Sequence, residues 1–135
     1  MIMAVRKTSK IPQGKGKNTQ SSKGMKELEK KIGKVPVFFK ELMKTQPDMH
    51  GAILAFDQHI WDDGALSRKT KKILAISIAA ALRDQHAVKA QLAGAKKLGV
   101  RRDEIEEALR VTFLLSGMPA YVYGRAAMED IMGKD

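Results

Sequence analysis

"LRDQHAVKAQLAGAKKLGV", residues 82–100, holds a helix whose end is marked in the sequence. Val88, Leu92 and Ala95 recur at spacings of three and four, and Leu98 continues the stripe. Lys89, Lys96 and Lys97 fall on the remaining faces, where water solvates them. Gly99 stops the helix, because glycine adopts the left-handed backbone of a C-terminal cap without steric penalty. An apolar run precedes the stretch and an acidic one follows it, so this helix has a neighbour on each side.

Upstream, Ser67 is a good N-cap for a helix over about 68–83, since its hydroxyl can accept from the free N–H groups of the first turn. From Ile73 to Leu82 that helix is apolar nearly all round, which predicts a central, buried element. Downstream, a helix begins near Arg102. Asp103 and Glu104 complement the positive end of its dipole, and Ile105, Ala108, Leu109, Thr112 and Leu115 form an inward stripe. Gly117 and Pro119 then break the chain, and Pro119 opens a last helix running to about Met132. Nearer the N-terminus, "MKELEKKIGKVP" (25–36) reads as a short helix stopped by Gly33 and Pro36. "PVFFKELMKTQ" (36–46) is a second, ended before Pro47, and a third runs from about Asp48 to Trp61. The expected fold class is all-α with short connections.

Composition bounds the function. A chain of 135 residues with 44% hydrophobic and 30% charged residues makes one folded domain with a real core. It contains no cysteine, which excludes disulfides, thiolate catalysis and cysteine-ligated metals. The most apolar run, residues 73–82, is too short to span a bilayer, and no secretory pattern opens the chain. A cytoplasmic protein without a membrane partner is therefore expected. Of the net charge of +10, six units sit in residues 1–24, on Arg6, Lys7, Lys10, Lys15, Lys17 and Lys23 with no acid. That segment reads as a flexible basic tail preceding a domain over 25–135. It would serve solubility, or contact nucleic acid or another polyanion. No aromatic is interleaved to stack on bases, which favours solubility.

The order "GALSRKTKKILAISIAAALR" (64–83), a polar helix ending in "LGV", and "RRDEIEEALRVTFLLSGMPAYVYG" (101–124) resembles the carboxymuconolactone decarboxylase superfamily, which includes alkylhydroperoxidase D. The similarity covers about residues 34–132. It implies a helical bundle built on a central antiparallel helix hairpin and assembled into homo-oligomers, commonly trimers or hexamers. The family's redox branch uses a Glu, a Cys-x-x-Cys pair and a His four residues after the second cysteine. Counted back from Gly99, the resemblance puts the His position at Gln91, the cysteine positions at Ala87 and Asp84, and the Glu position at Lys72. All four roles are lost together, so dithiol peroxidase activity is predicted absent. Lactone decarboxylation is doubtful as well, because members of that branch usually carry His where Gln91 stands, and glutamine does not titrate near neutral pH.

What occupies these positions leaves choices open. In the family fold Lys72 would face Asp84, Ala87 and Gln91, and a Lys72–Asp84 ion pair would plug the former relay; otherwise both are surface charges. His86, between the former cysteine positions, is a general-base candidate or an ordinary surface histidine. His59, Asp62 and Asp63 have metal-ligand spacing, or simply end a helix in a turn. Tyr121 and Tyr123 are expected at a subunit interface or over the pocket. Basic clusters at 68–72 and 96–102 extend the tail's positive field or occupy helix ends. No cofactor is expected. The expected function is a pseudoenzyme or a small-ligand-binding oligomeric scaffold. The alternatives are a divergent enzyme using Lys72, Asp84, His86 or Gln91, and polyanion binding through the tail.

Overall fold

The hairpin at the centre is made by two helices whose apolar stripes face a common core. Residues 16–134 are described by the computed structural model, and they form α1 (Gly16–Ile32), α2 (Val37–Thr45), α3 (Pro47–Trp61), α4 (Arg68–Leu82), α5 (Gln85–Lys97), α6 (Arg102–Ser116) and α7 (Met118–Met132). Ser67 caps α4 as its sequence predicts, its Oγ accepting from the Thr70 N–H at 3.1 Å. Asp84 caps α5 by accepting from the Ala87 N–H at 2.9 Å. Gly99 leaves α5 at φ +75°. A contact between residues 72 and 91 shows the two helices running back along each other.

α6 and α7 form a second hairpin that covers the first. Ile76, Val88, Leu92, Ile105, Leu109 and Met128 are buried where the four helices meet. Gly124 permits the close fit, since a Cβ there would lie 2.6 Å from Leu109 Cδ2 and 3.1 Å from Ala80 Cβ. α1, α2 and α3 enclose a separate core around Leu28, Val35, Phe39 and Leu54. The two parts touch at a pair of glycines. Added Cβ atoms at Gly33 and Gly94 would collide with the Gly94 and Ile32 carbonyl oxygens respectively.

Three expectations are corrected. α1 begins at Gly16 rather than 25, so residues 16–24 are helical; residues 1–15 lie outside the described part. A long-range contact holds that first half, with the Gln58 side chain donating to the Gly24 carbonyl at 3.0 Å. α4 is buried on one side only, since Leu74, Ile78 and Leu82 are exposed. Leu115 is 79% exposed rather than inward. At 3.6 residues per turn it falls nearly a quarter turn off the line of Ile105, Leu109 and Thr112. It belongs instead to a second apolar stripe, Val111, Leu114, Leu115 and Met118, all exposed. Among the described residues no helix is long and apolar enough to cross a membrane.

Candidate functional site

Lys72 lies on the inward stripe of α4, four residues before Ile76, and only 1% of its surface is exposed. An unpaired ammonium in such a place is unfavourable, so its neighbours matter. Its Nζ donates to Gln91 Oε1 at 2.8 Å. The same atom sits 4.2 Å from the centroid of the Trp61 ring, a cation–π arrangement that brings the end of α3 onto the hairpin. Gly94 leaves the room, since a Cβ there would lie 3.1 Å from Lys72 Nζ. Burial pushes the amine down from its ordinary 10.5 to about 8. At neutral pH it remains mostly protonated, held by one neutral acceptor and one aromatic face.

The expected Lys72–Asp84 ion pair is not formed. Asp84 is exposed, and its carboxylate is occupied at the N-terminus of α5. A helix N-terminus lowers the pKa of a thiol placed there; in this chain a carboxylate closes that N-terminus, and Ala87 packs against the core. His86 is exposed on another face of α5. Of the five positions that the sequence singles out, the structure joins Lys72 and Gln91 by a hydrogen bond, whereas Asp84 is held at the helix N-terminus and His86 is exposed.

A cleft of about 810 Å³ opens on the neighbouring face of α5. Its floor includes Phe38, Ala90, Ala93 and Ile131, and its rim carries Lys34, Arg83, His86 and Lys89. Positions 86, 89, 90 and 93 have i, i+3, i+4, i+7 spacing, so this face is turned about a third of a turn from Ala87 and Gln91. Neither Lys72 nor Gln91 lines the cleft.

Of the metal-ligand candidates, His59 is exposed and both aspartates are otherwise engaged. Asp62 pairs with Lys31 at 2.5 Å, and Asp63 accepts from the Arg68 N–H at 2.6 Å. No group of three or more His, Asp or Glu suited to a metal exists among the described residues. The basic clusters largely satisfy helix ends. Arg68 and Lys71 donate to the carbonyls of Ile60, Trp61 and Asp62 at the end of α3, and Lys96 and Arg102 donate to those of Ile131 and Gly133 at the end of α7.

Two arrangements were not found from the sequence. His50 is completely buried, stacked on Phe39 with ring centroids 4.4 Å apart, and its Nε2 lies 3.2 Å from Met25 Sδ. Desolvation lowers its pKa, and its Nδ1 has no hydrogen-bond partner among the described residues. Between α6 and α7, the Tyr121 hydroxyl donates to Glu106 at 2.5 Å, and Arg125 reaches the same carboxylate at 3.1 Å. Tyr121 thus clamps the second hairpin, and both it and Tyr123 pack against the core. The i, i+4 spacing of Tyr121 and Arg125 hints at a pair, but Glu106 as their partner depends on the register of the hairpin.

Comparison with known proteins agrees with this geometry. The chain is 36% identical over 100 residues, 70% of its length and 96% of the relative's, to an uncharacterized protein of Methanocaldococcus jannaschii. A carboxymuconolactone decarboxylase family protein from Legionella pneumophila shares the fold with a TM-score of 0.64 at 23% identity, over 85% of this chain and 98% of that one. A Burkholderia xenovorans structure carrying the same decarboxylase name superposes with a TM-score of 0.71 at 19% identity, over 86% and 91% of the two chains. The carboxymuconolactone decarboxylase family itself matches residues 47–130, from the start of α3 almost to the end of α7. The chain belongs to the carboxymuconolactone decarboxylase family.

Proposed function

We propose that this chain is a family member without peroxidatic chemistry, a homo-oligomeric scaffold that binds a small ligand. The observation that carries this reading is the Lys72 cluster. Where the redox branch places a carboxylate and a histidine to move protons around a thiolate, this chain has an ammonium that touches an amide and an indole ring. No thiol is present to be oxidised or to resolve a disulfide. An amide in the histidine position neither gives nor takes a proton at neutral pH. The described cleft does not reach the cluster, so a substrate has no route to it there.

Assembly is supported by the exposed stripe of Val111, Leu114, Leu115 and Met118, since soluble monomers rarely leave such a row uncovered. The test is consumption of cumene hydroperoxide in the presence of a dithiol. The expected rate equals that of heat-denatured protein, and a clear excess over that control overturns the proposal.

One observation favours a second reading, a divergent enzyme. An amine pushed down to about 8 is a better nucleophile at neutral pH than an ordinary lysine. Borohydride reduction in the presence of pyruvate would then leave an adduct on Lys72, detected by peptide mass spectrometry. The scaffold reading expects none.

A further inference from the structure

We infer that the cleft over the α4–α5 turn binds a small amphipathic anion, a single carboxylate on an apolar body. This rests on the binding-scaffold reading and adds to it a place and a ligand class.

The first observation is backbone geometry. Among the described residues, five have positive φ: Gly33, Gly99, Gly117, Gly133 and Arg83. Arg83 closes α4 at φ 54°, ψ 37°, with its N–H returned to the carbonyls of Ala79 and Ala80. A Cβ is strained in that region, and glycine would close the helix more easily. The other four positions use glycine. The hydrogen bonds at residue 83 come from the backbone, so they give no reason for an arginine. Strain of this kind persists where the side chain has a task.

The second observation is where that side chain stands. Arg83 is exposed on the rim of the cleft, and its guanidinium has no hydrogen-bond or ion-pair partner among the described residues. Lys34, His86 and Lys89 share the rim. Lys89 is only loosely attached to Asp130, at 3.9 Å. The lining contains one acid, Asp84, and that carboxylate is turned to the Ala87 N–H. The rim is therefore electropositive.

The third observation is the floor. Val37, Phe38, Ala90, Ala93 and Ile131 give it an apolar surface, with Phe38 mostly exposed. The volume of about 810 Å³ lies within the range of small-molecule sites. Cations at the edge with apolar carbon beneath match a carboxylate or sulfonate head on an aliphatic or aromatic body. The guanidinium would meet the head in the two-pronged geometry that suits carboxylates.

The test is isothermal titration calorimetry of the full chain with sodium decanoate, alongside decyltrimethylammonium as a control of opposite charge. Saturable binding of decanoate and none of the cation is expected. Arg83→Gly should weaken decanoate at least roughly tenfold, while its melting temperature stays the same or rises. Lys89→Gln should weaken it too and keeps the test independent of any change at the turn. Equal affinity in Arg83→Gly, equal binding of the cation, or no saturable binding overturns the inference. So does loss of assembly in Arg83→Gly by light scattering, which would place a second copy of the chain in the cleft. Hydroperoxide turnover with intact decanoate binding sinks the scaffold reading alone, whereas absent binding without turnover sinks this inference alone.

Discussion

Replacing Lys72 by methionine removes a buried charge while keeping an unbranched apolar stem of similar length. The drop of the amine from 10.5 to about 8 corresponds, at 1.36 kcal/mol per unit, to about 3 kcal/mol of unfavourable desolvation in the charged form. Against this stand a hydrogen bond to Gln91 and the Trp61 ring face, each worth roughly 1 kcal/mol. The Lys72→Met variant is therefore expected to be as stable as the parent at pH 7, or more stable by up to about 2 kcal/mol. The sign of the pH dependence follows from the lowered value. Below pH 8 both native and unfolded chains hold the proton, and the penalty is fully expressed. Between about 8 and 10.5 the unfolded chain binds more protons than the native one, so stability rises with pH. The parent should gain about 2.5 kcal/mol relative to the variant between pH 7 and pH 10. Urea unfolding followed by circular dichroism, at one protomer concentration across that range, measures the difference. A flat difference would refute the reasoning. So would a loss of more than about 3 kcal/mol in the variant at pH 7, because the contacts of Lys72 would then outweigh its desolvation.

Other perturbations test the surroundings. Gly94→Ala puts a methyl group against the Ile32 carbonyl and the Lys72 amine, and a loss of about 1–3 kcal/mol in urea unfolding is expected. Leu114, 80% exposed, heads the uncovered stripe of α6; on the proposed assembly, Leu114→Glu should give smaller species than the parent in light scattering and leave the helical content unchanged. His50 has its pKa lowered by burial, so below its ordinary 6.5 the unfolded chain binds more protons and the fold loses stability as the pH falls. The melting temperature of the parent should decline from pH 6.5 to pH 5 more steeply than that of His50→Leu.

The helices were legible because their ends carry local chemistry. Ser67, Gly99 and Pro119 mark boundaries through capping and backbone preference, and these act within a few residues. What escaped depends on contacts between distant positions. The first half of α1 looks like a tail until Gln58 is placed beside Gly24. Leu74, Ile78 and Leu115 fit a buried stripe by type, and only the packing of the helices shows that they are exposed. In the site, position counting found Lys72 and Gln91, yet charge pointed to Asp84 as the partner. The carboxylate was already committed to an N-cap, a role that an acidic residue opening a helix commonly fills. Arg83 gave no warning, since a left-handed arginine is visible only in its dihedral angles.

The account depends most on Lys72 being a shut-in amine, closed off from solvent and from any substrate. A ¹³C NMR titration of the lysine ε-methylene groups measures this directly. One lysine should titrate near about 8 and vanish from the spectrum of Lys72→Met, well below the ordinary 10.5. If every lysine titrates near the ordinary value, Lys72 is solvated and the central claim is contradicted.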